Sequence, residues 1–278
     1  MTRATAGNLV VLPDVAAERP KLSLRGVGKV YRNARGERVH AVEDVSFDVA
    51  PGEFVCLLGP SGCGKSTLLN MFAGLDRPTS GEVLIDGRPV RGPGPDRTVL
   101  FQEPALFPWM SVVRNVEFAL KLIGVPRSER RDRAMFWLGK VHLGRFADAQ
   151  PHELSGGMRQ RAALARALSC DPEVLLADEP FAALDAQTRE ILQNEMQRVF
   201  QETGKTVVFV THNVREAAFL ADRVVLMSAP PGTVVVEKRI TTRRPRSFAE
   251  PALAEVVQDI HGHLIKEVEK VVASEIGS

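Results

Sequence analysis

The chain has 278 residues, of which 44% are hydrophobic and 25% charged, a composition typical of a globular protein with a substantial core. The formal net charge of +2 gives no overall electrostatic reason to expect nucleic-acid binding, and three scattered cysteines without a CxxC pair argue against a disulfide framework or a zinc site. No apolar run approaches the ~20 residues needed to cross a bilayer, so we expect a soluble protein whose membrane role comes through a partner.

The first part of the chain predicts strands. Residues 1–20 are expected to form a mobile tail, and strand-like patterns follow at 21–33 and 38–50, joined by a turn. The continuous apolar run FVCLLG, residues 54–59, is typical of a strand buried on both faces of a parallel sheet. Residues 66–73 then predict a helix.

From about 103 to 165 the spacing of apolar residues becomes helical, and strands return at 173–180 and 206–212 with a helix between them. Strands that alternate with helices indicate an α/β fold with a parallel sheet, in which the 103–165 block is a helical insertion. Residues 248–278 resume helical periodicity. Their predicted apolar stripe consists of Leu253, Val256, Val257, Ile260, Leu264, Val268 and Val271.

The stretch GPSGCGKS, residues 59–66, matches G-x-x-x-x-G-K-[ST] between a predicted strand and a predicted helix, which is the context that this phosphate-binding loop requires. The alternative, a chance glycine-rich turn, does not explain that context. We expect Lys65 to reach the β- and γ-phosphates of a nucleotide and the Ser66 hydroxyl to ligate Mg²⁺. The other residues of the loop expected to contact the nucleotide are Gly59, Pro60, Ser61, Gly62, Cys63, Gly64 and Thr67.

The apolar strand VLLADE, residues 174–179, ends in two acids. Because successive strand residues point to opposite sides, Asp178 is expected to enter the Mg²⁺ shell while Glu179 faces a different point. The natural role of Glu179 is then that of a base aimed at the attacking water. The alternative is a solvated acidic strand end.

Three further residues gain significance from this context. Gln102 and His212 each close a short apolar strand, and strand C-termini in open α/β sheets face the ligand crevice. Gln102 is expected to complete the metal shell or sense the γ-phosphate, and His212 to contact the γ-phosphate. Tyr31 follows a strand before the phosphate loop and is expected to stack on an adenine. Taken singly, each of these residues is usually structural, and the phosphate loop together with the acidic strand end reverses that expectation.

A second candidate phosphate site is LSGGMRQR, residues 154–161, where a serine and two glycines precede a basic helical run. With this stretch placed between residues 59–67 and 174–179, the chain resembles an ATP-binding-cassette (ABC) transporter ATPase. The resemblance spans roughly residues 21–240. Its motifs are the aromatic loop at Tyr31, Walker A at 59–67, the Q-loop at Gln102, the signature from Leu154 to Met158, Walker B at 174–179, the D-loop around Asp185 and the switch His212.

The resemblance implies an α/β P-loop NTPase (RecA-like) core with an antiparallel β subdomain and a helical subdomain at about 103–165. It implies a nucleotide-binding domain at 21–240, preceded by the tail at 1–20 and followed by a C-terminal helical extension at 241–278. The implied activity is hydrolysis of ATP with Mg²⁺, with Glu179, His212, Lys65 and Gln102 as catalytic residues and Ser66, Gln102 and Asp178 at the metal.

In this family two nucleotide-binding domains pack head to tail, and the Ser-Gly-Gly of one chain caps the γ-phosphate of ATP on the other. The resemblance thus assigns Ser155, Gly156 and Gly157, together with Asp185, to nucleotide contacts. Two departures are Met158, where glutamine is common, and the D-loop sequence AALD, which lacks a serine. Neither removes a group assigned to phosphate or metal, so we expect activity with altered coupling between sites.

The stretches at 92–109 and 227–235 resemble the nitrate, sulfonate and taurine importer ATPases. That resemblance implies a second ATPase subunit, an integral-membrane permease dimer and, indirectly, a periplasmic or lipid-anchored solute-binding protein, with no nucleic-acid partner. The expected location is peripheral, at the cytoplasmic face of the inner membrane, and the cysteine pattern favours such a reducing compartment. A homodimer is expected, and a heterodimer of ATPases stays open.

Three alternatives rank lower. Soluble ABC ATPases that act in DNA repair or on the ribosome usually carry a long coiled-coil insertion or two fused cassettes. A regulatory module without hydrolysis would be expected to lack Glu179 or Lys65, and both are present. Exporters often fuse their membrane domain to the cassette.

Overall fold

The computed structural model of the protein describes residues 19–276, with side chains to Lys270. It contains an antiparallel sheet and a mainly parallel sheet. The antiparallel sheet is built, from one edge to the other, from β2 (Arg38–Val49), β1 (Leu22–Arg32), β4 (Ser80–Ile85) and β5 (Arg88–Pro89). The tail predicted at 1–20 lies outside the described residues, except for Arg19 and Pro20.

The second sheet has six strands, and its antiparallel edge strand is β10. Their order across the sheet is β10 (Val234–Arg239), β9 (Arg223–Met227), β3 (Phe54–Leu58), β8 (Thr206–Thr211), β7 (Val174–Asp178) and β6 (Arg97–Leu100). The parallel strands all deliver their carboxyl ends to one edge. The apolar run predicted as a buried strand is β3, whose five residues are all buried.

Helices connect and cover these strands. Their bounds are α1 (Lys65–Ala73), α2 (Val112–Leu122), α3 (Arg127–Lys140), α4 (Gly156–Ser169), α5 (Ala186–Thr203), α6 (Val214–Leu220) and α7 (Pro251–Ile276), with short 3₁₀ turns at Gly144–Phe146 and Pro151–Glu153. Helices α2, α3 and α4 pack against one another and form the predicted helical block. Since α4 continues to Ser169, the predicted end of this block at residue 165 falls within a helix, and the division into domains stays a prediction.

The core lies on both faces of the parallel sheet. Alternate residues of β3 serve the two sides, because successive strand side chains point to opposite faces. Phe54 and Leu58 join a large apolar cluster with the helical block, α5 and α6. Val55 and Leu57 join a second cluster with α1 and the antiparallel sheet. The parallel sheet is therefore sandwiched, which fixes the strand ends that carry polar residues.

The C-terminal segment is anchored by Arg246, whose side chain is 1% exposed. Its guanidinium donates to the carbonyls of Ala218, Phe219 and Ala221 at the end of α6. Burial lowers the pKa of Arg246 to about 10, so the group stays charged at neutral pH and can satisfy carbonyls that the helix leaves unpaired.

The apolar stripe predicted on α7 is only partly correct. Leu253 and Ile260 are buried, whereas Val268 is 41% exposed. The buried residue at that end of the helix is Glu267, which accepts a hydrogen bond from the Ala229 N–H at 3.1 Å. Val256, Val257 and Leu264 also pack against the core, so the predicted stripe holds as far as Leu264. The side chain of Val271 lies outside the described residues.

Candidate functional site

The phosphate loop joins β3 to α1, and its backbone requires glycine at Gly64. This residue has φ 88° at the N-cap of α1, and a Cβ there would overlap Val42 of β2. The Lys65 ammonium donates to the carbonyls of Gly59 and Pro60 at 2.9 and 2.8 Å. Among the described residues no carboxylate pairs with it, although Lys65 is only 6% exposed. A buried cation that lacks a counter-ion is suited to holding an anion.

Two of the three predicted metal ligands meet in the structure. The Ser66 hydroxyl, in the first turn of α1, donates to Asp178 Oδ1 at the end of β7 over 2.9 Å. Burial raises the pKa of Asp178, opposed by the Ser66 hydrogen bond, and the neighbouring Glu179 raises it further. A hydroxyl and a carboxylate in contact form the hard-oxygen donor set that Mg²⁺ prefers, so these residues fit the metal. The exposed Gln102 side chain makes no hydrogen bond to any residue that the structure describes.

Glu179 and His212 lie together beside this pair. Glu179 Oε2 is 2.9 Å from His212 Nδ1. Strand alternation was the reason for expecting Asp178 and Glu179 to point in different directions, and that reason is wrong. Strand β7 ends at Asp178, and Glu179 takes a left-handed conformation with φ 43°. Such strain in a non-glycine residue is found where surrounding structure fixes a functional group. Sequence reasoning missed the contact with His212, since no spacing pattern links residues 33 positions apart.

A buried carboxylate that the sequence analysis missed supports this region. Glu216, in the first turn of α6, accepts hydrogen bonds from Thr211 at the end of β8 and from Gln193 of α5, the latter at 2.9 Å. Burial raises the pKa of Glu216. These bonds fix the strand end that carries His212 against α5. The pair of an N-cap Asn213 and an acid three residues later is a local signal that could have indicated a structured turn.

The signature residues form the N-terminus of α4. Ser155 is the N-cap, and its hydroxyl accepts the Met158 N–H at 3.3 Å. Gly157 is buried so closely against α5 that a Cβ would overlap Thr188 Cγ2. Thr188 in turn donates its N–H to Asp185, the N-cap of α5, at 2.9 Å. Backbone hydrogen bonds, chiefly from Thr188, lower the pKa of Asp185.

Ser155, Gly156 and Asp185 are therefore neighbours on one exposed surface. Within the described part of the chain, no hydrogen bond or ion pair joins residues 154–158 to the phosphate loop at 59–67. The structure brings the phosphate loop (the P-loop, residues 59–67) together with Asp178, Glu179 and His212. The signature residues 155–157 lie with Asp185 in a separate group, here called the signature group.

Helix α4 also holds the segment that follows β6. Gln160 donates to the Phe101 carbonyl at 3.2 Å, and Arg166 donates to the carbonyls of Pro104 and Ala105 at 2.9 and 2.7 Å. The backbone on both sides of Gln102 is therefore bonded to the helix that begins at the signature.

Next along this segment is an exposed aromatic group. Trp109 is 71% exposed, and its ring centroid lies 5.5 Å from that of Phe107, which lies 5.1 Å from Phe118. The buried Asn115 accepts the Phe107 N–H at 2.7 Å and donates to the Met110 carbonyl at 3.0 Å. The loop is therefore held in place by Asn115, although its tip is apolar and exposed. Among the described residues, no helix is long and apolar enough to cross a membrane.

Tyr31 lies in β1 and is 39% exposed. Its hydroxyl donates to Asp76 Oδ2 at 2.7 Å, and the Lys29 ammonium lies 4.8 Å from its ring centroid. Burial, followed by the hydrogen bond to Asp76, raises the pKa of Tyr31. The phenol therefore stays protonated at neutral pH and donates to Asp76.

Comparison with known proteins identifies the family. Residues 42–182 match the ABC transporter family model. The chain is 48% identical over 250 residues to an uncharacterized ABC transporter ATP-binding protein of Methanocaldococcus jannaschii, covering 90% of this chain and 93% of the relative. It is 47% identical over 230 residues to a nitrate import ATP-binding protein of Synechocystis, covering 83% and 85%. It is 48% identical over 231 residues to a taurine import ATP-binding protein of Burkholderia pseudomallei, covering 83% and 88%.

The fold comparison agrees. A dimeric ATP-binding cassette in a post-hydrolysis state, bound to ADP and phosphate, matches with a TM-score of 0.70 and 37% identity over 80% of this chain and all of that one. The P-loop NTPase fold and the ATPase activity implied by the sequence are confirmed. The chain belongs to the ABC transporter family and is an ATP-binding subunit that hydrolyses ATP.

Proposed function

We propose that this chain energises an importer for a small oxyanion such as nitrate, a sulfonate or taurine, working with Mg²⁺ at the cytoplasmic face of the inner membrane. The observation that carries the hydrolytic part is the contact of Ser66 with Asp178 beside Glu179 and His212. The solute class is supported by the nitrate and taurine import proteins among the relatives. Its partners are a permease dimer and, through it, a solute-binding protein.

In the proposed reaction, Lys65 exchanges its loop carbonyls for the β- and γ-phosphates of ATP, because a charge-assisted contact is stronger than a bond to a neutral carbonyl. Ser66 and Asp178 would hold Mg²⁺, whose charge would offset that of the phosphates, and Gln102 would complete this shell or sense the γ-phosphate. The contact of Ser66 with Asp178 supports this assignment.

Glu179 accepts a proton from the attacking water. His212 donates from Nδ1 to the Glu179 carboxylate, which holds that carboxylate in place. A contact of Nε2 with the γ-phosphate requires a proton on that nitrogen as well, so the form of His212 that serves both acceptors is the imidazolium. The strained backbone of Glu179 and the buried Glu216 restrict both side chains, which supports a preorganised site.

The signature group serves the ATP of a second copy of this chain. Ser155, Gly156, Gly157 and Asp185 lie on or just beneath an exposed surface, separate from the chain's own P-loop, and the similar solved cassettes are dimeric. The N–H groups at the start of α4 and its dipole suit a γ-phosphate. This arrangement gives each of two P-loops in a homodimer its second phosphate cradle.

The aromatic group around Trp109 contacts the permease. It is exposed, it is hydrogen-bonded to the buried Asn115, and it is continuous with the segment that carries Gln102 and is bonded to α4. Such a connection lets a change at the γ-phosphate alter the membrane contact. An exposed apolar cluster is typical of a protein interface.

The hydrolytic assignment is tested with Lys65→Ala, Glu179→Gln and the remote control Glu255→Gln, an exposed carboxyl on α7. Lys65→Ala should weaken MgATP binding, and Glu179→Gln should keep binding while turnover nearly stops. Glu255→Gln should match the wild type. Steady-state ATPase assays and equilibrium titration measure both quantities, and wild-type turnover in Glu179→Gln would remove that residue from the mechanism.

The solute assignment needs the permease. The complex, isolated through the bound membrane partner and placed in liposomes with its solute-binding protein, should show ATPase activity stimulated by nitrate, taurine or an alkanesulfonate. Amino-acid cations and neutral sugars should give no stimulation. Stimulation by an amino-acid cation or a neutral sugar, without stimulation by an oxyanion, would contradict the oxyanion proposal and leave the ATPase assignment unaffected.

A further inference from the structure

Two charged residues, Lys29 and Asp76, hold the Tyr31 ring, and the Asp76 carboxylate bonds both the Tyr31 hydroxyl and the Lys29 ammonium. Asp76 accepts the Tyr31 hydroxyl on Oδ2 at 2.7 Å and the Lys29 ammonium on Oδ1. Lys29 also donates to the Arg77 carbonyl at 2.8 Å, which leaves its ammonium 4.8 Å from the Tyr31 ring centroid. The ring is therefore fixed at its hydroxyl and at one face.

The charges in this group favour that arrangement at neutral pH. Burial alone would raise the pKa of Asp76, but hydrogen bonds from Lys29 and Tyr31 lower it overall, so the carboxylate stays ionised. The Lys29 side chain is 13% exposed and Asp76 27%. The Lys29 ammonium is too enclosed to contact a ligand directly, whereas the Tyr31 ring that it contacts belongs to a residue that is 39% exposed. A planar ligand that stacks on the ring has the opposite face.

The same carboxylate ties the ring to the phosphate loop. Asp76 follows the end of α1, and its N–H and that of Leu75 both donate to the Asn70 carbonyl, at 3.3 and 2.9 Å. Helix α1 begins at Lys65, and its nine residues span about 13 Å at 1.5 Å per residue. Asp76 therefore joins the ring to the C-terminal end of the helix whose N-terminal end forms the phosphate cradle, and Thr67 in the first turn of that helix also lies beside the Tyr31 hydroxyl.

We propose that Lys29 and Asp76 are positioning residues that hold the Tyr31 ring as a platform for the adenine of ATP. This inference rests on the proposed role of Tyr31 in base stacking. An exposed aromatic ring that has to be ordered on binding loses affinity through side-chain entropy, and a ring that is already held avoids that loss.

A purely structural role for the ammonium does not account for this geometry. The turn after α1 is already joined to β1 without it, because Thr79 donates its N–H to the Gly28 carbonyl at 2.8 Å and accepts the Val30 N–H on its hydroxyl at 3.0 Å. Replacement of Lys29 by methionine keeps the aliphatic stem and leaves these bonds in place. The variant should therefore fold and still lose the hold on the ring.

The test uses the full chain and two probes, MgATP and magnesium tripolyphosphate, which has the phosphates without the base. Tyr31→Ala should raise the Kd for MgATP about tenfold, as expected for loss of one base–aromatic stack. Lys29→Met and Tyr31→Phe should each raise it about three- to fivefold, by loosening the ring. Tripolyphosphate affinity should stay unchanged in all three, and Lys29→Arg, which keeps a cation, should restore most of the ATP affinity.

The decisive arm is the double variant. If Lys29 acts through the ring, Lys29→Met added to Tyr31→Ala should produce no further change in the Kd for MgATP. Three results would each overturn the inference. Lys29→Met could raise the Kd for MgATP by the same factor in the Tyr31→Ala background as in the wild type, it could weaken tripolyphosphate binding as much as MgATP binding, or it could leave the Kd for MgATP unchanged. If Tyr31→Ala itself binds MgATP like the wild type, the base-stacking role fails together with this inference. Failure of the wild type to bind MgATP would instead refute the proposed function.

Discussion

Gly157→Ala should expose how tightly the signature turn is packed against α5. The added methyl would lie closer than 3.0 Å to Thr188 Cγ2. Thr188 cannot readily move aside, because its N–H is bonded to Asp185 at 2.9 Å and β-branched side chains have few rotamers in a helix. Gly156→Ala is the matched control, since the nearest atom to its added methyl would be 3.8 Å away.

Both substitutions gain the helical preference of alanine over glycine, so the difference between them isolates the clash. Overpacking costs about 1–3 kcal/mol, and we expect Gly157→Ala to have a free energy of unfolding lower than that of Gly156→Ala by this amount. Urea unfolding at constant m-value measures it. Thr188→Ser, which removes Cγ2, should abolish most of the difference when combined with Gly157→Ala. Equal stability of the two alanine variants would refute the close approach of α4 and α5.

Two other predictions concern the C-terminal segment and the membrane contact. Arg246→Met leaves buried carbonyls at the end of α6 without a donor and should lower the free energy of unfolding by at least about 2 kcal/mol. Substitution of the exposed Arg243 by methionine is the control and should change the free energy of unfolding by less than about 0.5 kcal/mol. Equal effects of the two substitutions in urea unfolding would show that the segment does not cap α6. Trp109→Glu should keep basal ATPase activity and lose solute transport in liposomes, whereas Leu122→Glu, at a position that is also 71% exposed, should keep both. Intact transport in Trp109→Glu would place the coupling surface elsewhere.

Local sequence patterns were sufficient to predict the phosphate loop and to place Asp178 at the end of a buried strand. The run of apolar residues into GPSGCGKS predicted β3, the loop and α1, because strand burial, glycine conformations and helix start are all encoded within about twenty residues. The sequence assigned both Ser66 and Asp178 to one Mg²⁺ shell, and their contact agrees with that assignment, which stays a prediction.

Contacts between distant segments were not accessible in the same way. The bond between Tyr31 and Asp76 spans 45 positions, and no periodicity connects them. The left-handed backbone of Glu179 contradicts the strand alternation that was used to orient it, because strand geometry ends one residue earlier. On α7, Val268 fits the apolar period and is nevertheless exposed, since Glu267 has a polar partner in a loop that helix periodicity does not include. On α7 a tertiary contact overrides a local rule, and between Tyr31 and Asp76 a tertiary contact forms that no local rule predicts.

The central claim is that Ser155 serves the ATP of a second chain, and the direct measurement is sedimentation velocity of Glu179→Gln with and without Ser155→Arg. Glu179→Gln should dimerise with MgATP and stay monomeric with MgADP. The added arginine projects from the exposed N-cap of α4 where the partner's phosphate has to enter, so it should abolish dimerisation. Fluorescent-nucleotide titration should give the two proteins nearly equal monomer affinities, because the P-loop is untouched. Loss of monomer affinity as severe as that of Lys65→Ala would show that Ser155 serves its own chain's nucleotide and would contradict the head-to-tail assignment.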